Sequence, residues 1–376
     1  MTSPQEWGHI KVSKHHYAEE LVQAGHSVHF LNPPCDEKLA GGVRCRVLAD
    51  YGPGRLTVID WNRRTPIALR YKAMPIYRRL IQHEARRIRQ EIDSSLDLLW
   101  AFDPNTFPDL SVFKAAHTLF MPVDPLSSDQ QVRCGLSADL VVSVTPSILE
   151  QFDSPAFEGR KLLVGHGLCR EFEAEARRPP SAATAGSPVR AGFFGNLDRP
   201  KVFDYGMFSS IVESHPQVEF HFWGPSSLNG EFQKTLADRP NVFPHGCVDK
   251  AALASQIRPI DVFLLIYGRN EHLFDRSNAH KILEYLCTGK VIVSSTIEAY
   301  EGRLDLLRAP RSGDDTELPL LFAQTVEELD SANSLKLARR RKAYALDHTY
   351  RAQLTKIEAA LEKIASDAPL SEGATR

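Results

Sequence analysis

The sequence predicts an α/β protein built from two Rossmann-like, doubly wound domains. Its 376 residues exceed what one core of ordinary size supports. Short apolar runs alternate with helical patterns along both halves, the mark of parallel sheets covered on both faces. Between them, RRPPSAATAGSP at 177–188 carries too little apolar surface to fold alone and reads as a linker.

In the first half, KHHYAEELVQ predicts a helix that Ala24 and Gly25 end, and HSVHFLN predicts a strand stopped by Pro33 and Pro34. Further strands are expected at 96–101, 117–122 and 140–144, each followed by a polar turn or a helical pattern. A doubly wound domain opens with a strand that delivers the chain to its first ligand-binding loop and helix. Only about a dozen polar residues precede Lys14, so no such strand is evident. Either it lies upstream of Met1 or another strand fills the centre of the sheet.

The second half is the more regular, with strands expected at 190–194, 218–223, 241–243, 262–267 and 291–295 and helices between them. The domains are then 1–176 and 189–349, with the linker at 177–188. A helix at 350–365 is long enough to pack back toward the first domain, and a disordered tail is expected at 366–376.

Composition narrows the class. With 43% hydrophobic and 24% charged residues and a formal net charge of −2, the chain resembles a globular enzyme and offers no global attraction to nucleic acid. RRM, KH and zinc-finger patterns are absent too. The six cysteines, at 35, 45, 134, 169, 247 and 287, form no C-x-x-C pair and read as reduced core thiols. No run approaches the roughly 20 apolar residues that span a bilayer, and MTSPQEWGHI lacks the apolar centre of a signal peptide. A cytoplasmic location is expected, with peripheral contact to the inner face of the cytoplasmic membrane left open.

The most informative stretch is FDRSNAHKILEYLCTGKVIVSS at 274–295, where a polar loop meets a helix that Gly289 ends before a buried strand. Ser277 and Asn278 are both good N-caps. A helix entered from the C-terminal end of a strand presents free backbone N–H groups suited to phosphate. Lys281 in the first turn runs against the helix dipole, which an anion nearby explains better than solvation does.

This stretch resembles the donor-site motif of retaining GT-B glycosyltransferases, family 4 and its relatives, written N-x-x-K-x-x-E-Y-L-x-x-G-K-x-V. Asn278, Lys281, Glu284, Tyr285, Leu286, Gly289 and Lys290 fall in place. Looser similarity covers S-K-H-H at 13–16, F-F-G-N at 193–196 and F-W-G-P at 222–225. The resemblance implies a GT-B fold, two Rossmann-like domains facing across a cleft, and transfer of a sugar from a nucleotide-diphosphate donor with retention and without a metal. It gives Glu284 the ribose hydroxyls; the alternative is a surface glutamate. Many relatives carry another glutamate eight positions earlier, where this chain has Arg276 beside Asp275.

Around that motif, the loop GNLDRPK follows the first strand of the second half. Gly195 permits close backbone approach there, Asn196 adjoins it, and Arg199 and Lys201 match the basic pair that the family directs at the diphosphate; solvated side chains are the alternative. Tyr267 and the loop GRNEHLFDR either close over the donor or form an ordinary loop. The donor set is then Gly195, Asn196, Arg199, Lys201, Tyr267, Ser277, Asn278, Ala279, His280, Lys281 and Glu284, with the UDP- or GDP-sugar the sole cofactor.

On the acceptor side, Asp124 ends the strand HTLFMP where ligands of open α/β sheets bind, and resembles the acceptor-facing residue of related enzymes; a turn-capping aspartate is the alternative. Ser13, Lys14, His15 and His16 line the same cleft if the helix starts there, and the adjacent histidines lack metal-ligand spacing. From 63 to 89 nine cations, Arg63, Arg64, Arg70, Lys72, Arg78, Arg79, Arg86, Arg87 and Arg89, interleave with apolar residues around the single acid Glu84. Such a stretch suits an anionic membrane surface or a solvated helix packed by its apolar side.

In the implied chemistry the nucleotide diphosphate leaves with growing negative charge, which helix N–H groups, Lys281, Arg199 and Lys201 stabilise, while Asp124 orients the acceptor or assists as base. A glycan or lipid-linked acceptor in polysaccharide or glycolipid synthesis is expected. Two alternatives share the architecture: a non-catalytic partner in a polysaccharide assembly complex, which Arg276 keeps open, and a sugar-nucleotide epimerase.

Overall fold

The computed structural model describes residues 1–8, 11–48, 51–92, 95–122, 129–180, 188–198, 203–227, 230–268 and 278–367. The chain divides into two compact units, Met1–Gly165 with Tyr350–Arg376, and His166–Thr349.

In the first unit β1 (Ser27–Leu31), β3 (Arg55–Trp61) and β2 (Val43–Leu48) form one ladder in the order β1-β3-β2, and β4 (Leu98–Ala101), β5 (His117–Phe120), β6 (Leu140–Ser143) and β7 (Lys161–Leu163) form another. All pairs are parallel except β2 with β3. Thr2 joins the two ladders through parallel bridges to Leu31 and Ala101. Its N–H donates to the Trp100 carbonyl at 2.9 Å, its own carbonyl accepts from Phe102 N–H at 3.1 Å, and Leu31 N–H donates to Met1 at 2.9 Å. The opening strand that the sequence pattern lacks is therefore present, shortened to a bridge. Counting it first, the order of the parallel strands is 3-2-1-4-5-6-7, the 3-2-1-4-5-6 order of a doubly wound sheet with β7 added at its edge, and the switch point lies beside Thr2.

From there residues 3–8 and 11–12 lead into α1 (Ser13–Gln23), which Gly25 ends at φ 94°. His15 ties the two together. Its Nδ1 accepts from the Val12 N–H and its Nε2 faces the Glu6 carbonyl, both at 3.0 Å, so the neutral tautomer with hydrogen on Nε2 satisfies both. The ring stacks on Phe30 with centroids 5.1 Å apart. His16 stacks on Tyr350 of the terminal helix Tyr350–Asp367, and Tyr350 meets Tyr17 edge-on, which places that helix in the first unit.

The basic stretch contains α2 (Met74–Gln90), whose Tyr77, Ile81, Ala85 and Ile88 recur at helical spacing and are buried. Glu84 is buried as well, accepting from the Arg64 and Thr65 N–H groups at 2.6 and 2.9 Å and from Arg87 at 2.7 Å. Arg63 and Arg70 bond to Thr106 and Asn105. Arg64, Lys72, Arg78, Arg79 and Arg86 are exposed, near the exposed Ile67, Tyr71 and Ile76.

The second unit is one parallel sheet ordered β10-β9-β8-β11-β12: β8 (Arg190–Phe194), β9 (Glu219–Trp223), β10 (Val242–Gly246), β11 (Val262–Leu265) and β12 (Val291–Ser294). The order in which strands are added reverses between β8 and β11, so the C-terminal ends of those strands frame the crevice where such sheets bind ligands. The units meet in sequence at Gly165 and His166, earlier than the linker reading at 177–188 places the boundary. The helix α3 (Arg170–Ala176), expected in the first domain, belongs to the second unit: Phe172 stacks on Phe194 and Glu175 pairs with Arg258 at 2.6 Å. Residues 181–187 and 368–376, within the predicted linker and tail, lie outside the described residues. No helix among the described residues is long and apolar enough to cross a membrane.

Burial pushes the His15 imidazole down to about 4, ahead of the opposing pull of the Glu6 carbonyl. A lowered histidine contributes stability that is full above its unfolded pKa near 6.5 and is lost as pH falls toward 4. Urea titrations at pH 7.0 and 4.5 should show a loss of order 2 kcal/mol, after allowance for solvent screening, that His15→Asn lacks. Equal losses in both proteins would remove His15 from this role.

Candidate functional site

Gly195 continues β8 at φ 154°, and its N–H donates to the Trp223 carbonyl at 2.9 Å. Gly224, φ 139°, presses on it from the end of β9: a β-carbon there would collide with the Gly195 carbonyl oxygen. On its other side a β-carbon on Gly195 would collide with Lys281 Nζ, which also lies 5.1 Å from the centre of the Phe193 ring. Two missing side chains thus let the backbone after β8 meet a lysine from a distant helix.

That helix is α5 (Lys281–Leu286). Neither proposed N-cap starts it: His280 holds the cap position without a side-chain bond, because the chain is already helical there (φ −54°, ψ −30°), and Ser277 lies outside the described residues. Asn278 precedes the helix, and its carbonyl meets His166 Nε2 at 3.1 Å. His166 and His280 pack edge to face at 5.8 Å. Burial pushes His166 down to about 4, so it is neutral near pH 7. Ala279 is buried and opens a turn to Ile282.

Lys281 and Glu284, three residues apart, share one face of α5. Glu284 is buried at 7% exposure and bonds Lys250 at 3.1 Å. Tyr285, fully buried, anchors the helix, with its ring stacked on Phe263 at 4.4 Å and its hydroxyl accepting from the Phe194 N–H at 3.3 Å. Gly289, φ 81°, follows, and Lys290 is buried against Asp261 at 3.6 Å. Tyr267 follows β11, buried, with its N–H on Ser295 Oγ at 3.1 Å, and Asn196 is exposed, its Oδ1 accepting from Asp198 N–H at 2.9 Å.

Of the residues proposed from sequence, Gly195, Lys281 and Glu284 therefore converge at the switch point of the second unit, with Asn196, Tyr267, Asn278, Ala279 and His280 around it. Arg199, Lys201, Ser277 and Asp124 lie outside the described residues, as do Asp275 and Arg276. In the first unit Ser13, Lys14, His15 and His16 are all buried. Lys14 bonds the Gln5 side chain and lies 5.8 Å from the Phe102 ring, between the segments that follow Thr2 and β4. His16 pairs with Glu19 at 3.4 Å. Sequence reasoning missed Lys250 and His166, whose partners are 34 and 112 residues away. No cluster of three or more histidine, cysteine, aspartate or glutamate residues among those described could hold a metal.

Solved structures of similar fold span nearly the whole chain. An α,α-trehalose 6-phosphate synthase from Burkholderia multivorans aligns with 100% of this chain and 97% of its own, TM-score 0.65, at 13% identity. HepE from Anabaena, solved with UDP and glucose, covers 96% and 99%, TM-score 0.61, at 13% identity. A sucrose-phosphate synthase from Thermosynechococcus elongatus covers 94% and 92%, TM-score 0.58, at 15% identity. The fold is GT-B. Such identities carry the architecture alone; no family model matches the chain, and no curated protein matches it by sequence. In this GT-B chain the switch point of the second unit combines a glycine-lined backbone with a lysine and a buried glutamate.

Gly224→Ala should cost at least about 2 kcal/mol in urea denaturation, combining backbone strain with the collision. Gly302→Ala, at φ 73° with open space around it, should cost only about 1 kcal/mol. Equal losses would mean that the close approach is not constrained.

Proposed function

We propose that this chain is a nucleotide-sugar-dependent glycosyltransferase of the retaining, metal-independent kind. The observation that carries the reading is the convergence of Gly195, Lys281 and Glu284 at the switch point of the second GT-B unit. In this reading Lys281 takes the diphosphate, lying along the Gly195 backbone, and Glu284, one turn on, takes the ribose hydroxyls. The UDP bound in HepE and the UDP-forming trehalose-phosphate synthases among the similar structures favour UDP over GDP as the leaving nucleotide.

In the reaction the bond between the sugar C1 and the diphosphate oxygen breaks through an oxocarbenium-like transition state. The acceptor oxygen bonds C1 on the same face, and the departing phosphate takes the acceptor proton. Lys281 meets the charge that grows on the phosphate, with Arg199 and Lys201 assigned to the same task and Asp124 to orienting the acceptor. Preorganised charge of this kind is commonly the largest contribution to catalysis. The nucleotide sugar is the only cofactor in this reading, and the acceptor is a glycan or lipid-linked glycan of polysaccharide or glycolipid synthesis.

Calorimetric titration with UDP and GDP tests the donor site. One nucleotide should bind, and Lys281→Ala and Glu284→Ala should each weaken it ten- to a hundredfold, the range of a charge-assisted hydrogen bond of about 1.5–3 kcal/mol. Absence of binding to both nucleotides would sink the reading.

The exposed cations on and before α2 support docking to anionic lipid from the cytoplasmic side, each adding roughly 1 kcal/mol near the surface. The buried stripe of α2 belongs to the core, which leaves Ile67, Tyr71 and Ile76 as the apolar contacts. Flotation with phosphatidylserine vesicles should show binding that Arg78→Ala, Arg79→Ala, Arg86→Ala together abolish; Arg87 is left in place because it bonds Glu84. Binding unchanged by these substitutions would exclude this surface.

A further inference from the structure

Lys250 opens α4 (Lys250–Gln256), the helix after β10, and Asp249 caps it by accepting from the Ala252 N–H at 2.8 Å. A lysine at a helix start opposes the dipole, so its position calls for a compensating partner. That partner lies on another element. Lys250 Nζ is 3.1 Å from Glu284 Oε1, with the side chains 32% and 9% exposed, and 3.8 Å from Cys169 Sγ. Burial alone would lower the Lys250 ammonium, but Glu284 and then Cys169 more than offset this and raise it, so it is fully charged near neutrality.

A carboxylate as buried as Glu284 is strongly disfavoured in its ionised form unless a cation and hydrogen bonds accompany it. Ionisation matters to the role proposed for it. An ionised carboxylate is purely an acceptor with about four lone-pair sites, so an ammonium and the two hydroxyls of a ribose can share it, whereas the protonated acid presents a donor of its own. The pair also spans two helices: α4 follows β10 and α5 follows the loop after β11, so it fixes the Glu284 carboxylate relative to both.

We infer that Lys250 is a positioning residue for nucleotide recognition, holding Glu284 ionised and oriented toward the ribose hydroxyls. The inference rests on the proposed donor site. It assigns Lys250 no contact with the reacting atoms. Its removal should therefore erode recognition of the ribose before it affects anything else.

The test is calorimetry on the full chain with UDP, 2′-deoxy-UDP, GDP and 2′-deoxy-GDP, for the wild type, Lys250→Met and Lys250→Arg, with melting curves to show that each variant is folded. The wild type should bind its preferred ribonucleotide at least tenfold more tightly than the deoxy form. Lys250→Met should lose about tenfold in affinity for the ribonucleotide alone and bring that ratio close to one, and Lys250→Arg should restore most of it. Wild-type affinity and ratio in Lys250→Met would overturn the inference while leaving the donor site intact. An equal loss for ribo- and deoxynucleotide would overturn it too, by assigning Lys250 to packing. A wild type that binds none of the four would overturn the donor site itself, and the inference with it.

Discussion

The close approach of Gly224 to the Gly195 carbonyl is the constraint on which the candidate site depends. No side chain fits between the ends of β8 and β9, so the chain leaves β8 in a conformation with φ near 154°. Gly224 N–H in turn donates to the Gly246 carbonyl at 2.8 Å, which ties the end of β10 to the same point. Three strand ends are therefore fixed together, and the space beside Gly195 that Lys281 occupies is their product. A β-carbon on Gly224 would force the two strand ends apart, and one on Gly195 would displace the Lys281 ammonium.

Helix α5, only six residues long, could not persist on its own propensity. Its stability is tertiary. Tyr285 locks its middle to β8 and β11, and the helix Leu335–Asp347 holds the chain just after it. Lys342 Nζ donates to the Cys287 carbonyl at 2.8 Å and Arg341 to the Gly289 carbonyl at 3.1 Å, both side chains being buried. Cations on carbonyls at a helix C-terminus complement its dipole. The consequence is a helix anchored at its middle and far end, with its first turn directed to the crevice.

Much of this was legible in the sequence, for identifiable reasons. Strands buried on both sides read as apolar runs, as β8, β11, β12, β4, β5 and β6 do; these, together with β1, β9 and the mostly exposed β10, were expected within a few residues of their positions. The antiparallel β2, exposed along most of its length, and its partner β3 were not, nor was the three-residue β7. Thr2 could not be, since a single bridging residue has no periodicity, and its strand is defined only by its neighbours Leu31 and Ala101. At the site, helical spacing put Lys281 and Glu284 on one face. Which groups meet them depends on strand order, and nothing local to Lys250 or His166 announces partners 34 and 112 residues away.

The charges around the crevice run against local preference in a consistent way. Lys281 and Lys250 each occupy the first position of a helix, where a cation is disfavoured, and Glu284 is buried, where an anion is disfavoured. The Lys250–Glu284 pair resolves two of these conflicts internally. The Lys281 ammonium extends the other way, over Phe193 and toward Gly195. Its charge adds to that of the N–H groups at the start of α5, so the two reinforce each other as a local positive field in a chain whose net charge is −2. A positive field at that place favours a bound anion, which is what the proposed departing diphosphate would use.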